Sequence, residues 1–230
     1  MEETKQCLKD LTVFQNLDHE ELEMFCQNSY ARIYEKEEVI FFENDSVKKL
    51  YLLVKGKVKL SMLSAEGKEK VLTILQEGDI FGELSLFDED PHPLTAEVME
   101  TARLLVIPWH ELEKMIIQKP SLAIKIIEAL AKKTRLLTSQ VRELVFQDAA
   151  GRLASLLSRL AEDFGRKIED GTVIDLVLTH QEIANLIGSS RVTVTKLINR
   201  FIDEGLMTIK KRKIIILDFE SLGERLQTVF

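Results

Sequence analysis

"THQEIANLIGSSRVTVTKLINRFIDEGL", residues 179–206, decides the reading of the fold. It contains two short helical patterns joined at Gly188. The first opens on Thr179 with Glu182 three residues later, the spacing of a capping box, in which each side chain satisfies a backbone donor the helix leaves free. Its apolar residues are Ile183, Ala184, Leu186 and Ile187. The second opens at Ser190. Val194, Leu197, Ile198, Phe201 and Ile202 recur at i, i+3 and i+4, so this helix is expected to bury one stripe and expose the rest. Two short helices meeting at a glycine turn form a helix-turn-helix candidate.

The face opposite the stripe carries Arg191, Val192, Thr195, Lys196 and Asn199. Side chains near the N-terminus of such a helix reach base edges. Arg191 and Lys196 can donate to guanine O6 and N7, worth about 1–3 kcal/mol of discrimination each. Val192 donates nothing, but it can pack on a thymine methyl, which favours an A·T pair there. Ser189, Ser190, Thr193, Thr179, His180 and Gln181 are candidate phosphate contacts, helped by two helix N-termini. "LMTIKKRKIIIL", residues 206–217, reads as a hairpin whose basic tip at 210–213 reaches the flanking backbone. Arg200 and Lys211 extend the same surface. Residues 191–213 hold seven cations against Asp203 and Glu204, a net +5 in a chain whose formal net charge is −7. A solvated helix face is the plainer reading of those charges and a phosphate-binding surface the sharper one.

Upstream, "AAGRLASLLSRLAEDFG", residues 149–165, is an amphipathic helix ended by Gly165, and "TVIDLVL", 172–178, reads as a strand. The second domain is expected to run from 148 to 230, with a loop at 163–171. Before it lies a heptad seam. Ala123, Ile127, Leu130, Thr134, Leu137, Val141 and Leu144 alternate steps of four and three over one long helix, the pattern of a helix that wants a partner. An intramolecular bundle is one reading, but no other segment of comparable length is available, so pairing with a second copy is expected. Ile127, Leu130, Thr134, Leu137, Val141 and Leu144 are the expected dimer interface, with a hinge at Phe146, Gln147 and Asp148. Pro120 suits the first turn of that helix, where a missing N–H costs nothing. "WHELEKMIIQK", 109–119, is a shorter helix before it. Residues 109–147 therefore form the helical connection.

Residues 31–108 change texture. Short β-rich runs ("RIYEKEEVIFF", "KLYLLVKGKVKLSML", "KVLTIL", "TAEVMETARLLVI") are separated by the turn signals "ENDS", "KG", "AEGKE", "EGD" and "DEDPHP", which indicates a compact antiparallel sandwich or roll. Gly67 suits a hairpin tip, and Asn44 a left-handed turn position. Residues 1–30 read as short helices, with Leu8, Leu11, Leu22 and Phe25 at helical spacing.

Composition narrows the function classes. Of the 230 residues, 45% are hydrophobic and 30% charged, an ordinary globular balance. The apolar runs fall far short of the ~20 residues needed to span a bilayer. "MEETKQCLKD" lacks the pattern of a secretory signal, so a cytoplasmic protein without a membrane partner is expected. Cys7 and Cys26 are too few for a Cys₄ zinc site. His19, His92, His110 and His180 show no metal spacing, and His92, between two prolines, reads as a solvent-exposed loop residue. There is no nucleophile–base constellation, phosphate loop or dinucleotide fingerprint. No catalytic residue, metal site or cofactor is expected, although a small-molecule effector is possible.

The motifs together resemble the CRP/FNR superfamily of bacterial transcription regulators. "LTHQEIANLIGSSRVTVTKLINRFIDEGLMTIKKRKIII" (178–216) is similar to their DNA-binding domain. "LTSQVRELVFQDAAGRLASLL" (137–157) is similar to the junction of dimer helix and DNA domain, and "YLLVKGKVKL" (51–60) with "EGDIFGELSLF" (77–87) to their cyclic-nucleotide-binding roll. The resemblance implies an α+β chain with an N-terminal antiparallel β-roll, a long dimerisation helix and a C-terminal winged helix-turn-helix. It also implies a homodimer on two-fold symmetric double-stranded DNA, with RNA polymerase as a partner. Many members start the recognition helix with Arg-Glu, where this chain has Arg191-Val192. "SSRVTVTK" is closer to the cyanobacterial nitrogen regulators, which prefer GTA-type half-sites.

In cyclic-nucleotide members, a Gly-Glu-Leu turn holds the ribose and an arginine just before a Ser/Thr-Ala pair neutralises the phosphate. Here Phe81, Gly82, Glu83 and Leu84 provide the turn and Thr95-Ala96 the pair, but the arginine position falls on Leu94 or Pro93. An anion buried without counter-charge loses on the order of several kcal/mol. Thr138 and Ser139 match the Thr-Ser that contacts adenine in the cyclic-AMP receptor, and Lys133 can bring a positive charge from the helix side. Three outcomes stay open. They are a small effector other than a cyclic nucleotide, a cyclic nucleotide held by Glu83, Thr138 and Ser139, and no ligand, in which case Glu83 would bond backbone N–H groups of its own turn.

Overall fold

The computed structural model describes residues 19–87 and 90–224, which divide into two compact units between Thr134 and Arg135. Expected helical positions before residue 19, Leu8 and Leu11 among them, lie outside the described residues. The first unit contains α1 (His19–Asn28), strands β1 (Tyr30–Tyr34), β2 (Val39–Phe41), β3 (Lys49–Leu63), β4 (Glu69–Leu75), β5 (Ile80–Phe81) and β6 (Thr95–Pro108), then α2 (Trp109–Gln118). The long helix α3 (Ser121–Phe146) starts directly after Pro120 and carries the chain into the second unit.

Strands β6 and β3 are the spine of an antiparallel sheet of order β1-β6-β3-β4, with β2 on β6 and β5 on β3. Side chains alternate across a strand, and β3 supplies two cores in this way. Leu50, Leu52 and Val54 face Phe25 of α1, Leu112 and Met115 of α2 and Leu122 and Ile126 of α3. Tyr51 and Leu53 face an inner core with Phe41, Phe81, Leu104 and Val106.

Two turn expectations need correction. Lys55-Gly56 is not a turn, because β3 runs through it with register shifts on both sides. Gly56 has φ 95°, and a Cβ there would meet the Thr101 carbonyl at 2.5 Å. Glycine marks a bulge at this close backbone approach. The run "RIYEKEEVIFF" splits into β1 and β2 because Glu37 turns the chain with φ 71°. Gly67 sits at a hairpin tip with φ 76°, donating to the Ser64 carbonyl, and Asn44 takes φ 72° as expected.

The second unit holds the rest of α3, α4 (Ala149–Phe164), β7 (Gly165–Ile168), β8 (Gly171–Ile174), α5 (His180–Ile187), α6 (Arg191–Asp203), β9 (Met207–Lys210), β10 (Lys213–Ile216) and α7 (Phe219–Glu224). Its sheet has the order β7-β8-β10-β9, antiparallel throughout. The stretch 163–171, expected as a loop, contains strand β7, whose pairing with β8 makes a hairpin turning at Glu169–Asp170. The expected strand 172–178 stops at Ile174. The class is α+β, an antiparallel sheet domain and a helix-turn-helix domain joined through a long helix.

Candidate DNA-binding surface and sensor turn

Local chemistry sets the helix pair. Thr179 Oγ1 accepts the Glu182 N–H at 3.2 Å and Glu182 Oε2 accepts the Thr179 N–H at 2.6 Å, the reciprocal capping box. Gly188 ends α5 in the left-handed region with φ 61°, a conformation that costs other L-residues about 1–2 kcal/mol. Ser190 caps α6 by accepting the Thr193 N–H at 3.0 Å. Val194, Ile198 and Phe201 are fully buried. Ile202, expected inside, is exposed and Leu197 half-buried. At 3.6 residues per turn these two lie on the flanks of the stripe centred on the other three.

Arg191, Val192, Lys196 and Asn199 stand on the exposed face. Among the described residues the side chains of Arg191 and Lys196 have no ion-pair or hydrogen-bond partner. Other candidates are engaged within the protein. Thr195 Oγ1 donates to the Arg191 carbonyl at 2.9 Å, so the 2.8 Å contact with His180 Nδ1 requires that nitrogen to carry its proton. Thr193 Oγ1 lies 2.8 Å from Ser190 Oγ, Gln181 Nε2 donates to Asn185 at 2.8 Å, and Arg200 pairs with Glu204 at 2.9 Å. Ser189 is half-buried, its N–H on the Ala184 carbonyl. These groups shape the helix ends, and the first backbone N–H groups of α6 stay open to an anion.

The wing tip is Lys211–Arg212 between β9 and β10. Both residues have positive φ, 51° and 64°, the two-residue turn that favours Asn-Gly. Two bulky cations hold positions suited to small residues. Lys210 pairs with Asp170 at 3.7 Å and Lys213 with Asp175, so the expected four-residue basic tip narrows to Lys211 and Arg212.

In the first unit, Gly82 takes φ 86°, and a Cβ there would meet the Lys49 carbonyl at 2.6 Å. It admits the 3-10 turn Glu83–Ser85. Glu83 is 3% exposed, and its Oε1 lies 2.8 Å from Lys133 Nζ. Lys133 also donates to the Ile80 carbonyl at 2.8 Å. The carboxylate thus pairs with α3 rather than with N–H groups of its own turn. Phe81 is in the inner core, Leu94 packs against it, Thr95 Oγ1 accepts the Glu43 N–H at 3.0 Å, and Leu84 is exposed. Thr138 and Ser139 are exposed on α3, with Ser139 Oγ 3.4 Å from Glu143 of the same helix.

His92 is not a solvent-exposed loop residue. It is 2% exposed, stacks on Phe41 at 3.9 Å, and its Nε2–H donates to the Val47 carbonyl at 2.9 Å, with Ser85 Oγ at 3.1 Å. Burial holds its pKa below the usual imidazole value. Flanking prolines suggested exposure, but the His92 main chain exchanges hydrogen bonds with Asn44 and Asp45, and the ring lies inward.

Along α3, Ile127, Leu137, Val141 and Leu144 are exposed, as are Ile124 and Val145. Leu130 is half-buried against the core beneath the helices, and Thr134 Oγ1 donates back to the Leu130 carbonyl. At the expected hinge, Phe146 is exposed, Gln147 is half-buried, and Asp148 caps α4 by accepting the Gly151 N–H at 2.8 Å.

Residues 31–119 match the cyclic nucleotide-binding domain, and residues 151–225 the Crp-like helix-turn-helix domain. The chain is 33% identical over 217 residues to the global nitrogen regulator of Synechococcus elongatus, covering 94% of this chain and 96% of that one. It is 32% identical over 186 residues to the CRP-like cAMP-activated global transcriptional regulator of Mycobacterium tuberculosis, covering 81% and 83%. Among solved structures, a CooA mutant from Carboxydothermus hydrogenoformans matches with a TM-score of 0.79 at 26% identity over 93% of this chain and 94% of that one. With both domains matched, the capped helix pair in place and its cationic face exposed, the chain belongs to the CRP/FNR family of DNA-binding transcription regulators.

Proposed function

We propose that the protein acts as a homodimer on two-fold symmetric DNA, reading each half-site with Arg191, Val192 and Lys196 and gripping the flanking backbone with the Lys211–Arg212 tip. The observation that carries this reading is the exposed face on which, among the described residues, the side chains of Arg191 and Lys196 have no partner, opposite the buried stripe of Val194, Ile198 and Phe201. The apolar row on α3 supports pairing with a second copy, because a monomer would leave Ile127, Leu137, Val141 and Leu144 in water. Such a protein would work in the cytoplasm, with RNA polymerase as its partner at the promoter. Selection from random DNA tests the readout. GTA-type half-sites with A·T opposite Val192 are expected, and recovery of TGTGA-type half-sites contradicts the assignment.

The effector, on this reading, is a small molecule other than a cyclic nucleotide. Leu94 supplies no counter-charge for a phosphate, and the Lys133 charge is matched by Glu83. A ligand shifts the dimer only through differential affinity for its DNA-competent arrangement. The second reading is a cyclic nucleotide held by Glu83, Thr138 and Ser139. The glycine turn and the name of the mycobacterial relative favour it. Native mass spectrometry of freshly purified dimer, followed by thermal shift with cyclic AMP, cyclic GMP, 2-oxoacids and aromatic acids, separates the two. A thermal shift with cyclic AMP alone overturns the first.

A further inference from the structure

Arg152 of α4 stands between two chain segments far apart in sequence. Its Nε donates to the Ile187 carbonyl at 2.8 Å and its Nη1 to the Gln147 carbonyl at 2.7 Å. Ile187 is the last residue of α5, directly before left-handed Gly188, and Gln147 is the first residue beyond α3. Both carbonyls belong to helix C-terminal ends, where the peptide dipoles favour a cation. A guanidinium is planar and presents several donors in fixed relation, so one Arg152 side chain holds the two carbonyls at a set separation. A lysine ammonium has no such rigid fork.

The surroundings reinforce the junction. Ser155 Oγ donates to the Gln147 side-chain oxygen at 3.0 Å. Buried Glu143, in the last turn of α3, is ion-paired with Arg159 of α4. A Cβ placed at Gly188 would lie 3.6 Å from Leu144 Cδ2. The end of the long helix and the glycine turn are thus joined through one side chain that neither the sequence motifs nor the DNA-contact surface singled out.

We infer that Arg152 is a positioning residue that couples the hinge at 146–148 to the turn that aims the recognition helix. A backbone rotation at Gln147 either moves Ile187 with it or breaks a charge-assisted hydrogen bond. Since Gly188 to Ser190 follow Ile187 directly, the hinge sets where Arg191 and Lys196 point. Arg152 itself touches no DNA in this role. The inference rests on the DNA-reading assignment of α6 for its functional consequence, but not for the mechanical coupling.

The test uses the full-length protein with Arg152→Lys and Arg152→Gln, and Ser155→Ala as a neighbouring control that leaves the fork intact. Amide hydrogen exchange is followed at 147–149 and 188–190. Affinity is measured for a duplex recovered by site selection and for random-sequence duplex. Both segments are expected to lose protection together in the Arg152 variants. The ratio of specific to non-specific affinity is expected to fall about tenfold, within the usual range of coupling energies, with the salt dependence of non-specific binding unchanged. Wild-type exchange in both segments with the affinity ratio intact overturns the inference, as does loosening of 188–190 alone. Should the variants fail to fold, the unaltered protein still decides. On rising urea the two segments are expected to share one opening transition, and separate slopes refute the coupling. Failure of both duplexes to bind would strike at the DNA-reading assignment instead, leaving the exchange result to stand or fall by itself.

Discussion

Lys133 Nζ lies 2.8 Å from Glu83 Oε1 in a pair whose carboxylate side chain is 3% exposed and whose ammonium side chain is 26% exposed. A buried carboxylate is costly unless it is paired, and here a helix residue fifty positions away performs the pairing. The turn that the resemblance would set against a ligand is tied to α3 by the protein's own charge. Lys133→Met should therefore destabilise the first unit by about 3 kcal/mol, the lower end for an orphaned buried charge. Adding Glu83→Gln, which removes that charge, should recover most of the loss. Urea unfolding of the single and double variants checks this. Additive losses would show that the two groups do not interact.

His92 gives a pH signature. Its folded-state pKa is depressed by burial, so below the unfolded value of about 6.5 the unfolded chain takes up a proton that the folded chain refuses. Its contribution is fully present above that value and is lost as pH falls toward 5, by at most about 1.4 kcal/mol per pH unit. His92→Gln is expected to flatten this slope at some cost in stacking on Phe41. An unchanged slope between pH 7 and 5 would place the titration elsewhere.

At the wing, Lys211→Asn and Arg212→Gly relieve two positive-φ positions. Each should stabilise the DNA-binding unit by about 1 kcal/mol. Both should weaken DNA binding. The slope of log K against log salt should become shallower by about 0.9 for every phosphate that the dimer no longer neutralises. More stable variants with an undiminished salt slope would show that the tip does not touch phosphate.

In the proposed dimer, Val141→Glu puts a like charge on the exposed row of α3 in each copy. Sedimentation equilibrium should show dissociation to monomer, with DNA affinity falling in parallel. A stable dimer of the variant would move the interface away from this row.

Much of this was legible because it is local. The Thr179/Glu182 capping box, the Ser190 cap and the Gly188 turn depend on residues within four positions of one another, and each formed as spaced. What the pattern concealed depends on distant partners. His92 is buried by Phe41 and Val47, and Gly56 is a bulge because Thr101 crosses it. Lys133 was recognisable as a nearby cation, but its bond to the Ile80 carbonyl was not. Thr195 stood on the reading face by periodicity, yet its proton goes to the Arg191 carbonyl, which only coordinates reveal. Arg152 left no signal, because its acceptors are main-chain carbonyls, which every residue has.

The most direct measurement of the central claim is the salt-dependent affinity of Arg191→Ala and Lys196→Ala for a selected symmetric duplex, beside the unaltered protein. Each substitution is expected to cost about 1–3 kcal/mol on the selected site and to relax preference at one base pair of each half-site. Affinity and base preference unchanged in both variants would contradict the assignment of this face to DNA.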